Sequence, residues 1–240
     1  MKSVTTFDQS RIMIKMAGNK SSMTRTTSDR TIGRLGLYRR CLNRLQAEGR
    51  PFVYSHEIAQ ETGASAAQVR RDLMAVGYSG SPNRGYQTAE LIRSIGEHLD
   101  GSGEIGVALF GLGNLGRAII AYLSRQRPNL AVAAAFDQDP DKIGRVIQGC
   151  RCYSVDEIDA VAREKSLEVG VIAVPALAAQ DAADRLIAAG IAGLLNFAPH
   201  SLKVPPHVHV EELDLTLSLE KVAYFARRRR AAKQLNSGGQ

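Results

Sequence analysis

Apolar residues recur at two different spacings along this chain. From Gly36, "GLYRRCLNRLQAEGRP" sets Leu37, Cys41, Leu42 and Leu45 at helical intervals, and Gly49 and Pro51 end the run. In the following "SHEIAQETGASAAQVRRDLMAVG", Ser55 is placed to cap a short helix containing Ile58 and Ala59, Gly63 to make a turn, and Ser65 to open another helix. Ser65 and Gln68 have the S-x-x-Q spacing of a capping box, which satisfies free amides at a helix start. Helix, glycine turn and capped helix together predict a helix-turn-helix. At about 100° per residue, Ala66, Val69, Leu73 and Val76 share one face of the second helix, Arg71 lies nearly opposite, and Gln68 and Arg70 flank it. The turn-rich "GYSGSPNRGYQ" then predicts a small β-hairpin wing ending at Arg84 and Tyr86.

Beyond Glu104 the pattern changes to short apolar runs alternating with amphipathic ones. The strand "GVALF" leads into "GLGNLGRAII", and "LAVAAAFD", "EVGVIAVP" and "IAGLLNFAP" read as further strands. Between them, "VDEIDAVAREK" and "LAAQDAADRLIAAG" read as helices, and His207 and His209 flank a late strand. This alternation predicts an α/β domain with a doubly wound parallel sheet. Gly111, Gly113 and Gly116 have G-x-G-x-x-G spacing directly after a strand. Gly111 suits a tight turn, Gly113 a close approach of backbone to a pyrophosphate, and Gly116 close packing of helix on strand. The loop Gly111, Leu112, Gly113, Asn114, Leu115, Gly116 is thus the candidate phosphate cradle, with the helix amides facing the anion. Asp137, 21 positions beyond Gly116, has the spacing of an acid that bonds a ribose diol and repels a 2'-phosphate, which favours NAD over NADP; as a bare strand-end residue it would do neither. Val174, Pro175, Asn196 and Phe197 fall at strand ends on the expected ligand edge. They either line the nicotinamide end or simply terminate strands.

Charge sharpens the division. The formal net charge is +7, with six basic and two acidic residues in 1–30, and five basic and no acidic ones in 227–240. Residues 31–86 hold eight arginines against four acids, whereas 104–226 hold eleven basic against fifteen acidic residues. Positive potential therefore belongs to the first third and the tails, as suits a polyanion-binding head. Within that head Ser65, Gln68, Arg70, Arg71 and Arg84 are the candidate DNA contacts: arginine grips phosphate or guanine, and glutamine can pair with adenine. The run Arg227 to Arg230 is either a further contact or a solvated tail. Cys41, Cys150 and Cys152 lack the number and spacing of a disulfide framework or a zinc site and read as buried, inert thiols. No apolar run approaches a membrane span and the start lacks a secretory pattern, so a cytoplasmic protein is expected.

From about Leu35 to Phe225 the chain resembles the Rex family of redox-sensing transcriptional repressors. The resemblance rests on "QVRRDL" (68–73), "GLGNLGRA" (111–118), "FDQDPDKIG" (136–144), "VPALAAQDAAD" (174–184) and "AGIAGLLNFAP" (189–199). It implies a homodimer with a winged-helix head, a Rossmann-type domain for NADH and NAD+, and a C-terminal helix, "LTLSLEKVAYFA", exchanged between subunits. Its Leu215, Leu219, Val222 and Ala226 would form the apolar stripe. The resemblance further implies that Tyr122 and Asp214 rearrange when NADH binds and that Arg40 is the basic partner of Asp214. One departure stands in the wing: Pro82 occupies the family's basic position, with Arg84 two residues later. The expected organisation is a basic flexible tail (1–30), a winged-helix DNA-binding domain (31–90), a Rossmann domain (91–211), a swapped helix (212–228) and a second basic tail (229–240). The expected function is a repressor that NADH releases from double-stranded operator DNA. The alternative is an NAD-dependent oxidoreductase carrying a DNA-binding-like module. Catalysis would need a proton donor or acceptor beside the nicotinamide, and only His200 is placed to approach it.

Overall fold

The computed structural model describes residues 27–81, 84–101, 105–126, 130 and 132–237 of the chain. They divide into two compact units after Gly101.

The first unit is ordered α1 (Asp29–Ala47), β1 (Phe52–Val53), α2 (Ser55–Thr62), α3 (Ala66–Ala75), β2 (Tyr86–Gln87) and α4 (Thr88–Asp100). Helix α1 begins seven residues before the expected Gly36, because Ser28 caps it by accepting the Thr31 amide at 3.3 Å. Its buried stripe is Leu35, Tyr38, Cys41, Leu42 and Leu45; Leu37, expected on that face, is exposed. The stripe packs with Ile58, Val69, Leu73, Leu91 and Ile95 into one core. Ser55 is the first helical residue of α2 rather than its cap; the Glu57 carboxylate instead accepts the preceding Tyr54 amide at 2.8 Å. At α3 the capping box is half made. Ser65 Oγ accepts the Gln68 amide at 3.1 Å, but the Gln68 side chain turns away to Asp72.

Strands β1 and β2 pair antiparallel, and Ser81 and Gly85 exchange both backbone hydrogen bonds, so the wing is a tight hairpin with Arg84 exposed near its tip. Pro82 lies outside the described residues, as do 1–26 of the expected N-terminal tail. The boundary expected at 90/91 falls inside α4. That helix buries Leu91 and Ile95 in the head core, and Arg39 forks onto the Asp100 carboxylate at 2.8 and 2.9 Å, which assigns α4 to the head.

The second unit contains β3 (Gly106–Phe110), α5 (Asn114–Gln126), β4 (Val132–Asp137), β5 (Val146–Ile147), β6 (Cys150–Ser154), a 3₁₀ turn (Val155–Glu157) and α6 (Ile158–Glu164). There follow β7 (Leu167–Ile172), α7 (Ala176–Ala188), β8 (Gly193–Asn196), β9 (His209–Glu212) and α8 (Leu215–Ser237). The sheet order is β5-β6-β4-β3-β7-β8-β9, all parallel except the edge strand β5. Chain order reverses direction between β3 and β7, so a crevice opens at their C-terminal ends. Alternate residues of β3 face opposite cores: Ala108 and Phe110 pack with Phe136, Ile172 and Leu186, while Val107 and Leu109 pack with Ile119, Ile120 and Ala135. The late strand starts at His209 itself, with Val208 buried before it.

Helix α8 departs from expectation in its length. It continues to Ser237, so residues from 229 that were expected to form a tail lie in the helix. Its Arg, Ala, Lys and Gln composition favours helix. Its apolar residues Leu215, Leu217, Leu219, Val222, Tyr224 and Phe225 are all exposed in the single chain. Among the described residues, no helix is long and apolar enough to cross a membrane.

Candidate functional site

The glycine loop occupies the β3–α5 turn at the crevice, and each glycine meets a different constraint. Gly111 has φ +99°, and a β-carbon there would lie 2.6 Å from the Ala173 carbonyl oxygen. At Gly116 a β-carbon would come within 2.2 Å of the Gly111 carbonyl oxygen, so the helix is seated directly on the turn. Gly113 is exposed and a β-carbon would touch nothing within 4 Å; its open side faces space that a ligand can use. Asn114 and Leu115 open α5 and are exposed, whereas Leu112 is buried.

Asp137 closes the crevice from the end of β4. Its Oδ2 accepts the Leu112 amide at 2.8 Å and Lys142 Nζ at 3.0 Å, and its Oδ1 accepts the Asp139 amide at 3.0 Å. Burial would raise its pKa, but the two backbone amides and the Lys142 ammonium outweigh burial and hold the carboxyl below its usual range. Asp137 therefore stays ionised and braces the glycine loop through Leu112. Lys142 was not singled out in the sequence. The signal was present in "DQDPDK", where a turn brings the residue five positions after Asp137 back onto it.

A cleft of about 370 Å³ lies over this loop, lined in part by Gly111, Gly113, Asp137, Lys142, Val174 and Pro175. Arg185 of α7 stands at the same cleft, bonded to Asp181 at 2.9 Å and Asp156 at 3.2 Å, and it too was missed. Asn196 ends β8 and holds the turn that follows. It is 1% exposed, its Nδ2 donates to the Ala198 and His200 carbonyls, and its Oδ1 accepts the Ala198 amide. Its polar atoms are thus committed to shaping the 196–200 turn. Phe197 is half-buried and its amide donates to the Ile172 carbonyl at 2.9 Å, which ties β8 to β7 beside the crevice.

Of the residues expected to switch, Asp214 caps α8: its Oδ1 accepts the Leu217 amide at 2.8 Å. Tyr122 is 64% exposed on α5, and among the described residues the Asp214 carboxylate bonds to the Leu217 amide and not to Tyr122. Arg40 is exposed on α1.

In the head, the distribution of partners separates two classes of arginine. Arg34, Arg39, Arg44, Arg50 and Arg93 each pair with a carboxylate. Among the described residues, the two arginines of α3 bond only to neutral oxygens, Arg70 to Ser55 Oγ at 3.1 Å and Arg71 to Gln68 Oε1 at 2.8 Å. Their charge is left uncompensated on an exposed helix face. Behind them, Asp72 is 3% exposed, a buried carboxylate that the sequence pattern did not reveal. It accepts from Arg34 at 2.6 and 2.9 Å, Tyr38 at 2.9 Å and Gln68 at 2.8 Å. Burial, aided by the hydrogen bond to the Asp72 carboxylate, pushes the Tyr38 hydroxyl up to about 12.

All three cysteines are buried and free. Burial, aided by Glu61, pushes the Cys41 thiol up to about 11, and burial, aided by Cys152, does the same to Cys150.

Comparison with known proteins follows the same division. Residues 26–73 match the family model "Putative DNA-binding protein N-terminus" and residues 103–200 match "CoA binding domain". The Redox-sensing transcriptional repressor Rex of Carboxydothermus hydrogenoformans is 40% identical over 198 residues, covering 82% of this chain and 95% of that protein. That of Desulfitobacterium hafniense is 39% identical, covering 84% and 96%. Among solved structures, RSP in complex with β-NAD+ and operator DNA is similar with a TM-score of 0.78 at 30% identity, over 89% of this chain and 99% of that one. RSP with β-NADH gives 0.75 at 30% identity, over 88% and 99%. With the glycine loop, the Rossmann strand order and the basic recognition helix all in place, these likenesses decide the matter: the chain belongs to the Rex family of redox-sensing transcriptional repressors.

Proposed function

We propose that this protein is a DNA-binding repressor that reads the NADH/NAD+ ratio, and that NADH releases it from operator DNA. The observation that carries this is the pairing, in one chain, of an uncompensated arginine face on α3 with an open glycine cradle whose acid is held ionised. Residues 31–90 with the rest of α4 form the DNA-binding head, and the β3–β9 unit forms the cofactor domain. Ser65, Arg70, Arg71 and Arg84 meet the duplex. The pyrophosphate lies against the loop Gly111 to Gly116, and the adenosine ribose takes an Asp137 oxygen in competition with Lys142. Val174 and Pro175 lie towards the nicotinamide end, with Phe197 beside them. When bound, the cofactor supplies the difference between oxidised and reduced nicotinamide; the chain supplies the fit and catalyses nothing. His200, which follows the C-terminal end of β8, is exposed on the turn that Asn196 shapes.

The exposed apolar residues of α8 are covered by a second copy in a homodimer. In that dimer Asp214 meets Tyr122 and Arg40 in the DNA-competent state, and reduced nicotinamide near Tyr122 displaces the contact. A cytoplasmic location follows from the DNA target. Moving the protein from 99% competent to 1% requires about a 10⁴-fold preference of NADH for the released state, or about 100-fold at each of two sites. Reciprocity requires DNA to weaken NADH binding by the same factor.

The test is titration of promoter DNA at fixed salt with NADH or NAD+ added, salt being held because phosphate contacts make affinity steeply salt-dependent. NADH should loosen the complex more than NAD+ does. Unchanged or tighter binding would refute the direction of the switch. Asp214→Ala should alter the NADH response more than it alters NADH affinity without DNA.

A further inference from the structure

Helix α3 carries a hydrogen-bond relay from the head core to its outer face. The Asp72 carboxylate receives four donors: Arg34 Nε and Nη2, the Tyr38 hydroxyl, and Gln68 Nε2. That fills the acceptor capacity of a carboxylate. Gln68 then passes the orientation outward, its Oε1 accepting from Arg71 Nη2 at 2.8 Å. The chemistry of the neighbours fixes which way the amide points. Asp72 only accepts and Arg71 only donates, so the NH₂ group must face inward and the carbonyl outward.

This arrangement changes what the helix can read. Bidentate recognition of adenine needs both ends of a glutamine amide, one accepting from N6 and one donating to N7. Gln68 has its donor end committed to a buried carboxylate, and turning it to a base would strip a donor from Asp72. Arg71, by contrast, keeps its remaining guanidinium N–H groups without partners among the described residues.

Resting on the DNA-binding reading above, we infer that Asp72 and Gln68 are positioning residues: they lock Arg71 edge-on to read one guanine, and Gln68 is not an adenine reader. The functional unit is a core-anchored carboxylate, an amide of fixed orientation and a guanidinium fork, and its ligand is the O6/N7 edge of guanine in a major groove. A structural role for Asp72 alone would not require Gln68 to end on Arg71.

The experiment uses duplexes enriched from a random-sequence pool by the full-length protein, with retardation measured at fixed salt for Gln68→Ala, Arg71→Ala and the double variant. Arg71→Ala should weaken binding about tenfold or more and flatten the preference at one guanine. Gln68→Ala should weaken binding by less and flatten the preference at that same base pair. The double variant should bind no more weakly than Arg71→Ala. Urea unfolding followed by far-UV circular dichroism checks that the head stays folded in all three, and unchanged NADH affinity checks the nucleotide unit. Additive losses, or a Gln68→Ala effect confined to a different, adenine-containing pair, would overturn the relay.

A second measurement needs no variant that must fold. With the unaltered protein, 7-deazaguanine at the sensitive guanine should weaken binding about tenfold, since N7 is lost to the arginine fork. 7-Deazaadenine at each adenine in turn should leave it unchanged. A 7-deazaadenine loss that disappears in Gln68→Ala would assign Gln68 to adenine and end the proposal. A protein that enriches no duplex at all would bring down the DNA-binding reading and this inference with it, whereas enrichment with an additive cycle brings down the relay alone.

Discussion

Two inward-facing aspartates, Asp72 in the head and Asp137 in the nucleotide unit, solve the same problem in opposite ways. Both are taken largely out of water, with side chains 4% and 10% exposed, and both are held ionised by donors that outweigh burial. Asp72 is ringed by side chains from α1 and α3, so it is a joint between helices and has no capacity left for a ligand. Asp137 is held by two backbone amides and one lysine, and a lysine on its flexible four-carbon stem is the donor that can be displaced. A saturated carboxylate fixes geometry, and a partly provisional one can trade a partner for a ribose hydroxyl.

The comparison breaks most directly by removing each acid. Asp72→Ala should cost the head about 3 kcal/mol in urea unfolding, because Arg34 and Tyr38 lose a buried partner. Asp137→Ala should cost about 1 kcal/mol, and its larger effect should be on ligand choice: discrimination between NADH and NADPH should fall. Equal stability losses would erase the distinction. Next in size, Gly116→Ala should destabilise the nucleotide unit by about 1 to 3 kcal/mol through overpacking against the Gly111 carbonyl. Gly113→Ala should leave stability within about 0.5 kcal/mol yet weaken both NADH and NAD+, measured by calorimetric titration. A Gly113→Ala protein that binds as before would remove that residue from the cradle.

Acid sharpens the comparison further. Both carboxyl pKa values are lowered in the fold, so their stabilisation is complete above the unfolded value near ~3.9 and is lost as pH falls through the lower folded value. Urea midpoints taken in steps below about pH 5 should fall less steeply in Asp72→Asn than in the unaltered protein. The smallest effect sets the floor: Arg93→Ala removes an exposed pair with Glu97 and should change stability by no more than about 0.5 kcal/mol.

The strands beside the crevice were readable from sequence because they are short, continuously apolar and followed by glycine or proline. Helix α3 was readable because its cap, turn and apolar face agree. What escaped did so for physical reasons. Strand β6, "CRCYS", pairs with β4 but alternates buried cysteines with an exposed arginine, so it lacks the apolar run of its neighbours. Asp72 falls inside a basic stretch and looks like a surface charge until Arg34 and Tyr38, more than thirty residues earlier, are folded against it. Asn196 stood open between lining the nicotinamide end and ending a strand, and its three bonds to the following turn, invisible in sequence, show that it shapes that turn. The start of α1 was missed because two glycines, Gly33 and Gly36, obscure a helix that Ser28 caps.

The sulfur chemistry of this chain points away from its cofactor chemistry. With thiols near 11, Cys41 and Cys150 hold only about one thiolate in 10⁴ at neutral pH, and Cys152 is fully buried with its pKa also raised. Peroxides and disulfides react with thiolate that they can reach, and these sulfurs offer neither the charge nor the access. A sensor so constructed listens to a diffusible hydride carrier through reversible occupancy. The change of oxidation state is carried by the bound cofactor, and the signal passes without any of the three buried thiols having to react.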